Sequence, residues 1–180
     1  MTSLVVCFSG RIGSGKTSVS RAVAEALGAA WTGFGDFVRA TATARSLDAS
    51  SREVLQDLGA QLIREHGSAW LCEQVIARAG WDGLQPLVID GVRHVDVLDE
   101  IARQLAAHRT VLVHLDFDAT GRLRGLDPAS RRLAELHATE QDVLRALPAR
   151  ADIVVSTDPP LESVVRAVLD FLQPLAARPR

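Results

Sequence analysis

The chain has 180 residues, 47% of them apolar and 23% charged, with a formal net charge of −2. This length fits one domain with small inserts and a full apolar core. The near-neutral charge argues against a broad attraction to DNA or RNA, and no apolar run approaches the about 20 residues of a membrane span.

Met1-Thr2-Ser3 has no basic stretch of the kind that opens a secretory signal. Leu4-Val5-Val6-Cys7-Phe8 is a continuous apolar run, the pattern of a strand buried on both faces of a parallel sheet. Ser9 to Lys16 reads as a loop and Thr17 to Leu27 as the helix it opens, stopped by Gly28. A short strand at 29–32 and a helix at 35–45 follow. Ser50-Ser51-Arg52-Glu53 has the form of a capping box, predicting a helix to His66 that stops at Gly67. A further amphipathic helix is expected over Ser68–Ala79.

Leu87-Val88-Ile89 is a second buried strand, ending at Asp90, and 95–107 is helical. Thr110 to Leu115 is a third strand. The stretch 116–138 is polar and arginine-rich, with Gly121, Gly125 and Pro128. A short helix at 139–147, a strand at Ile153-Val154-Val155 and a helix from Pro159-Pro160 to about Leu172 complete the chain. Strands alternating with helices predict a three-layer α/β fold, with about five mostly parallel strands and helices on both faces.

One motif stands out. Gly10-Arg11-Ile12-Gly13-Ser14-Gly15-Lys16-Thr17 fits the phosphate-binding pattern G-x-x-x-x-G-K-[ST] and lies between a predicted strand and a predicted helix. Lys plus Arg total 20, and all but Lys16 are arginine. The one ammonium of the chain stands where a compact point charge suits a nest of backbone N–H groups better than a planar guanidinium. Gly10, Ile12, Gly13, Ser14, Gly15, Lys16, Thr17 and Ser18 are therefore the expected contacts to ATP, with Thr17 as a Mg²⁺ ligand.

Asp90, at the carboxyl end of a buried strand, is the expected second Mg²⁺ residue, with Arg93 pointing into the same crevice. Arg39 stands one turn after Gly35 and three residues after Asp36, and is a candidate phosphate contact. Arg122, Arg124, Arg131 and Arg132 offer guanidinium groups for charge that spreads in phosphoryl transfer. Trp31, Trp70 and Trp81 sit in separate elements and read as packing residues, with lining of an acceptor pocket the alternative for Trp31. His66, His94, His108, His114 and His137 show no metal-ligand spacing, and His114 reads as a packed residue. Cys7 and Cys72 read as reduced core residues.

These residues resemble the nucleoside-monophosphate-kinase-like branch of P-loop kinases. Thr32-Gly33-Phe34-Gly35-Asp36-Phe37-Val38-Arg39 is similar to the adenylate kinase segment that contacts the monophosphate acceptor. The resemblance implies that Arg39 binds the acceptor phosphate beside Asp36. Asp90-Gly91-Val92-Arg93 resembles the Asp-Gly-…-Arg motif, at a spacing similar to phage-type deoxynucleoside monophosphate kinases. His137-Ala138-Thr139-Glu140 resembles a His-x-Ser-Glu run of that group. The phosphate loop itself, lacking a proline, is similar to those of dephospho-coenzyme A kinases and cytidylate kinases. By this resemblance the core is about 1–31, 68–115 and 139–180, a helical insert at about 32–67 binds the acceptor, and about 116–138 forms a short lid carrying Arg122. The loop Val155-Ser156-Thr157-Asp158 lies beside the adenine.

The expected activity is transfer of the γ-phosphate of ATP, with Mg²⁺, to a nucleoside or deoxynucleoside monophosphate. Lys16, Arg39, Asp90, Arg93 and Arg122 are the expected catalytic set, and Asp36, Arg39 and Arg93 the acceptor contacts. Dephospho-coenzyme A or another small alcohol is the alternative acceptor, with Asp36 as the base it would require. A regulatory protein that binds nucleotide without turnover is a third reading. A guanine-reading Asn-Lys-x-Asp motif is excluded, because no lysine remains to build it. The expected setting is cytoplasmic, with a small-molecule substrate, no nucleic-acid or membrane partner, and a monomer or small homo-oligomer.

Overall fold

A computed structural model of the protein describes residues 3–117 and 142–176. Five strands form one sheet: β1 (Leu4–Gly10), β2 (Ala30–Gly33), β3 (Leu87–Asp90), β4 (Arg109–Asp116) and β5 (Ile153–Ser156). Their order is β2-β3-β1-β4-β5, and every pairing is parallel. All five carboxyl ends therefore lie along one edge, where β1 gives way to the phosphate loop and β3 ends at Asp90.

The helices are α1 (Lys16–Leu27), α2 (Phe34–Ala44), α3 (Arg52–Arg78), α4 (Val95–Gln104), α5 (Leu147–Arg150) and α6 (Leu161–Ala176). A single π-turn, Asp142–Ala146, leads into α5. The apolar run of β1 is explained by its two faces. Val5 and Cys7 pack with Leu87, Ile89 and Leu112 against Leu71 and Val75 of α3 and Val97 and Ile101 of α4. Leu4, Val6 and Phe8 pack with Val111, Val113 and Leu115 against Val19 and Val23 of α1 and Val164 and Val168 of α6. Each such side chain contributes about 1.5–3 kcal/mol by leaving water. Cys7 and Cys72 are buried free thiols, and burial pushes both upward in pKa, Cys72 to about 12.

A smaller cluster, Val38, Ala42, Leu58 and Leu62, joins α2 to the first half of α3. The expected stop at Gly67 is present as a break: its φ of 83° and ψ of 162° interrupt the helical run. The capping box is not formed as expected. Ser51 is the cap, its Oγ accepting from Val54 N at 3.4 Å, because Ser50 is engaged by Asp48, whose Oδ1 accepts from Ser50 N and Oγ at 2.9 and 2.6 Å. The helix expected to reach 107 ends at Gln104, where His108 N turns back to Leu105 O at 2.8 Å. Of the expected lid only Asp116 and Phe117 fall within the described residues. Arg122, Arg124, Arg131, Arg132 and the His137–Glu140 run lie outside them.

Candidate active site

Gly10 ends β1 with a φ of 146°, opposite Leu115 in the register with β4. A Cβ at Gly10 would lie 2.3 Å from the Leu115 carbonyl oxygen, so only glycine lets the chain leave the sheet here. Gly10→Ala is expected to destabilise the protein by at least about 3 kcal/mol, read as a fall in thermal midpoint. From Gly10 the loop curls into α1. Ser14 N donates to Arg11 O at 3.2 Å, and Gly15 enters the helix in the left-handed conformation, with φ 74°.

Lys16 is nine-tenths buried. Its Nζ donates to Gly10 O at 2.6 Å and Arg11 O at 2.7 Å, with Ser14 Oγ at 3.5 Å. The ammonium is thus held inside the curl of the loop. Beneath it, Ser9 Oγ and His114 Nδ1 share a 2.9 Å hydrogen bond, and burial lowers the His114 pKa, so this packed histidine is neutral at pH 7.

Thr17, the second residue of α1, donates from Oγ1 to Asp90 Oδ2 at 2.7 Å. Asp90 Oδ1 is buried and has no hydrogen-bond partner among the described residues. Burial raises the Asp90 pKa above its ordinary value, opposed by the Thr17 hydroxyl and the Lys16 charge. An orphaned buried carboxylate oxygen beside a threonine hydroxyl is a hard-oxygen donor set, and it fits Mg²⁺. Among the described residues no group of three or more His, Cys, Asp or Glu could hold a metal by itself. Such a sparse set matches Mg²⁺, which commonly takes one or two protein ligands together with substrate phosphates.

A cleft of about 490 Å³ opens from this point, lined by Ile12, Gly13, Gly15, Lys16, Thr17 and Ser18 at one end and by Asp36, Arg39, Arg52 and Arg93 further along. Gly91 N and Val92 N both donate to Phe8 O, turning the chain out of β3 and bringing Arg93 to the cleft. Asp36 is clamped: Oδ2 accepts from Arg21 Nη2 at 2.9 Å and Oδ1 from Arg39 Nη1 at 3.2 Å. Arg21 in turn lies 3.7 Å from the centre of the Trp31 ring.

The fold therefore gathers Lys16, Thr17, Asp36, Arg39, Asp90 and Arg93 around one cleft. Trp31 is not part of it. Its Nε1 donates to Ser20 Oγ at 3.1 Å and its ring packs on Arg21, the packing role and not the pocket-lining alternative. Asp158 is exposed in the loop after β5, bonded to Ser156 and away from the cleft lining. Arg21, Arg52 and Gln56 were not expected at the site. Nothing in their spacing marks them, since helical arginines and glutamines are usually solvated.

No protein-family profile matches the chain. A UPF0200 protein of Hyperthermus butylicus is 34% identical over 110 residues, covering 61% of this chain and 56% of that protein. The chain thus spans about half the length of the curated relative it matches. Among solved structures it is similar to a shikimate kinase from Aquifex aeolicus, with TM-score 0.60 and 18% identity over 96% of this chain and 98% of that one. A gluconokinase from Sinorhizobium meliloti gives TM-score 0.57 and 21% identity, covering 97% and 93%. A sugar kinase from a Janibacter species gives 0.55 and 22%, covering 99% and 100%. The fold is that of the P-loop kinases. Within the P-loop kinase fold, the strand order puts the loop that leads to Lys16 and the side chain of Asp90 at adjacent strand ends. No helix among the described residues is long and apolar enough to cross a membrane.

Proposed function

We propose that the protein transfers the γ-phosphoryl group of ATP to a small-molecule acceptor that already carries a phosphate, a nucleoside or deoxynucleoside monophosphate. One observation carries this reading: a single cleft joins the phosphate loop and the Thr17–Asp90 pair to an end lined by Arg39, Arg52 and Arg93. The N–H groups of the loop and the Lys16 ammonium bind the triphosphate. Thr17 and Asp90 would hold Mg²⁺, whose chemistry when bound is neutralisation of charge on the β- and γ-phosphate oxygens.

At the other end, the guanidiniums of Arg39 and Arg93 hold the acceptor phosphate in line with the transferred group. Asp36 orients Arg39. An anionic acceptor needs little proton transfer, so positioning supplies most of the rate. Arg39→Ala is expected to raise the acceptor KM by about 10- to 100-fold while the ATP KM moves by less than about twofold. Steady-state kinetics with each substrate varied in turn checks this, and equal losses on both would remove Arg39 from the acceptor side.

A second reading has support in the fold neighbours, which include shikimate, gluconate and sugar kinases. Here the acceptor is an alcohol, dephospho-coenzyme A among the candidates, and Asp36 is the base. Against it, both Asp36 oxygens are already engaged by guanidiniums, Oδ2 by Arg21 and Oδ1 by Arg39. ADP release from Mg·ATP, measured against nucleoside monophosphates, dephospho-coenzyme A, shikimate and gluconate, separates the two. Turnover confined to the alcohols would overturn the monophosphate reading. ATP binding without any acceptor-dependent turnover would favour a regulatory protein.

A further inference from the structure

We propose that the Gln56 amide reads the base of the acceptor nucleotide, an inference that rests on the monophosphate reading above. Gln56 lines the cleft, yet its Oε1 and Nε2 are both buried and have no hydrogen-bond partner among the described residues. A buried amide with neither group paired is an anomaly in a folded protein, and a ligand is one way to satisfy it.

Its surroundings narrow the ligand. Helical spacing puts Arg52, Gln56, Gly59, Ala60 and Ile63 along one face of α3, and all of them border the cleft. Val38 of α2 borders it too, and a Cβ added at Gly59 would meet only the Val38 Cγ2, at 3.8 Å. The wall that carries Gln56 is thus aliphatic at Val38, Ala60 and Ile63, with Arg52 one turn away. A polyol carries a hydroxyl on nearly every carbon and would leave most of them unpaired against such walls. A flat heterocycle needs its faces covered by apolar groups and only its edge paired. The amide presents an acceptor beside a donor, the complement of a base edge such as adenine N6 and N7. Base against Gln56 and phosphate against arginine is the division of labour a nucleoside monophosphate requires.

The test is calorimetric binding of AMP, GMP, CMP, UMP and the baseless ribose 5-phosphate to the full chain and to Gln56→Leu. The wild type is expected to prefer one base over ribose 5-phosphate, and Gln56→Leu to shrink that preference roughly 10- to 100-fold. The variant is also expected to unfold at a higher temperature without ligand, because leucine removes two unpaired buried groups; a residue with a structural role would do the opposite. Gln56→Glu, which keeps an acceptor and loses the donor, is expected to reorder the base preference. An unchanged preference in Gln56→Leu, or an equal loss for ribose 5-phosphate, would overturn the proposal. So would a lowered midpoint with binding intact. Failure of the acceptor reading itself appears elsewhere, as a wild type that binds none of the four monophosphates.

Discussion

Lys16→Ala is expected to lower kcat for acceptor-dependent ADP release by at least about 10²- to 10³-fold. The size follows from where the charge sits. Lys16 is nine-tenths buried, and its ammonium is anchored by the carbonyls of Gly10 and Arg11. A charge held there in advance stabilises the developing negative charge without reorganising during reaction. Lys16→Arg is expected to fail nearly as badly, since the planar guanidinium does not fit the position that a compact ammonium fills. Circular dichroism checks that both variants fold. Wild-type turnover by Lys16→Ala would remove the phosphate loop from the mechanism.

Asp90→Asn is expected to separate activity from stability. Losing the carboxylate should weaken Mg²⁺ binding by about 10- to 100-fold, read by titrating the metal against ADP release. Stability should move the other way. The folded-state pKa of Asp90 is raised, chiefly by burial. A group of this kind favours the fold below its unfolded pKa, and that contribution is lost as pH rises through the folded value. Above that value the ionised carboxylate is therefore a net cost, which asparagine removes. The metal-free variant is expected to melt at a higher temperature than metal-free wild type at pH 7, with the gap closing under acid conditions. In the role proposed for Asp90 the proton also competes with Mg²⁺ for this carboxylate. The activity of the wild type at subsaturating Mg²⁺ should accordingly fall on acidification, and Asp90→Asn should lack that limb. A lower midpoint for Asp90→Asn at neutral pH would mean that its bond to Thr17 outweighs the desolvation cost.

Much of this was legible in the chain. The apolar runs 4–8, 87–89 and 110–115 are uniform because these strands are covered on both faces, so the parallel sheet could be read from pattern alone. The phosphate loop could be read because a backbone cradle needs glycine and lysine at fixed steps along the sequence. Local competition was harder to see. Ser50 reads as well as Ser51 for the cap until Asp48 engages it. A pocket role stayed open for Trp31 because nothing in the chain announces that Arg21 and Ser20 of α1 will meet it.

By itself, then, the sequence determined the class of fold and the glycine- and lysine-bearing loop at one end of the cleft. Those features are written in contiguous residues, where spacing is geometry. Only the tertiary structure decided which distant residues meet around the cleft. Asp36 becomes a clamped carboxylate through Arg21, fifteen residues away. Asp90 meets Thr17 across seventy-three residues, and the Gln56 amide is left buried and unpaired among the described residues. Contacts at such separations depend on how helices pack on the sheet, and no local pattern encodes that.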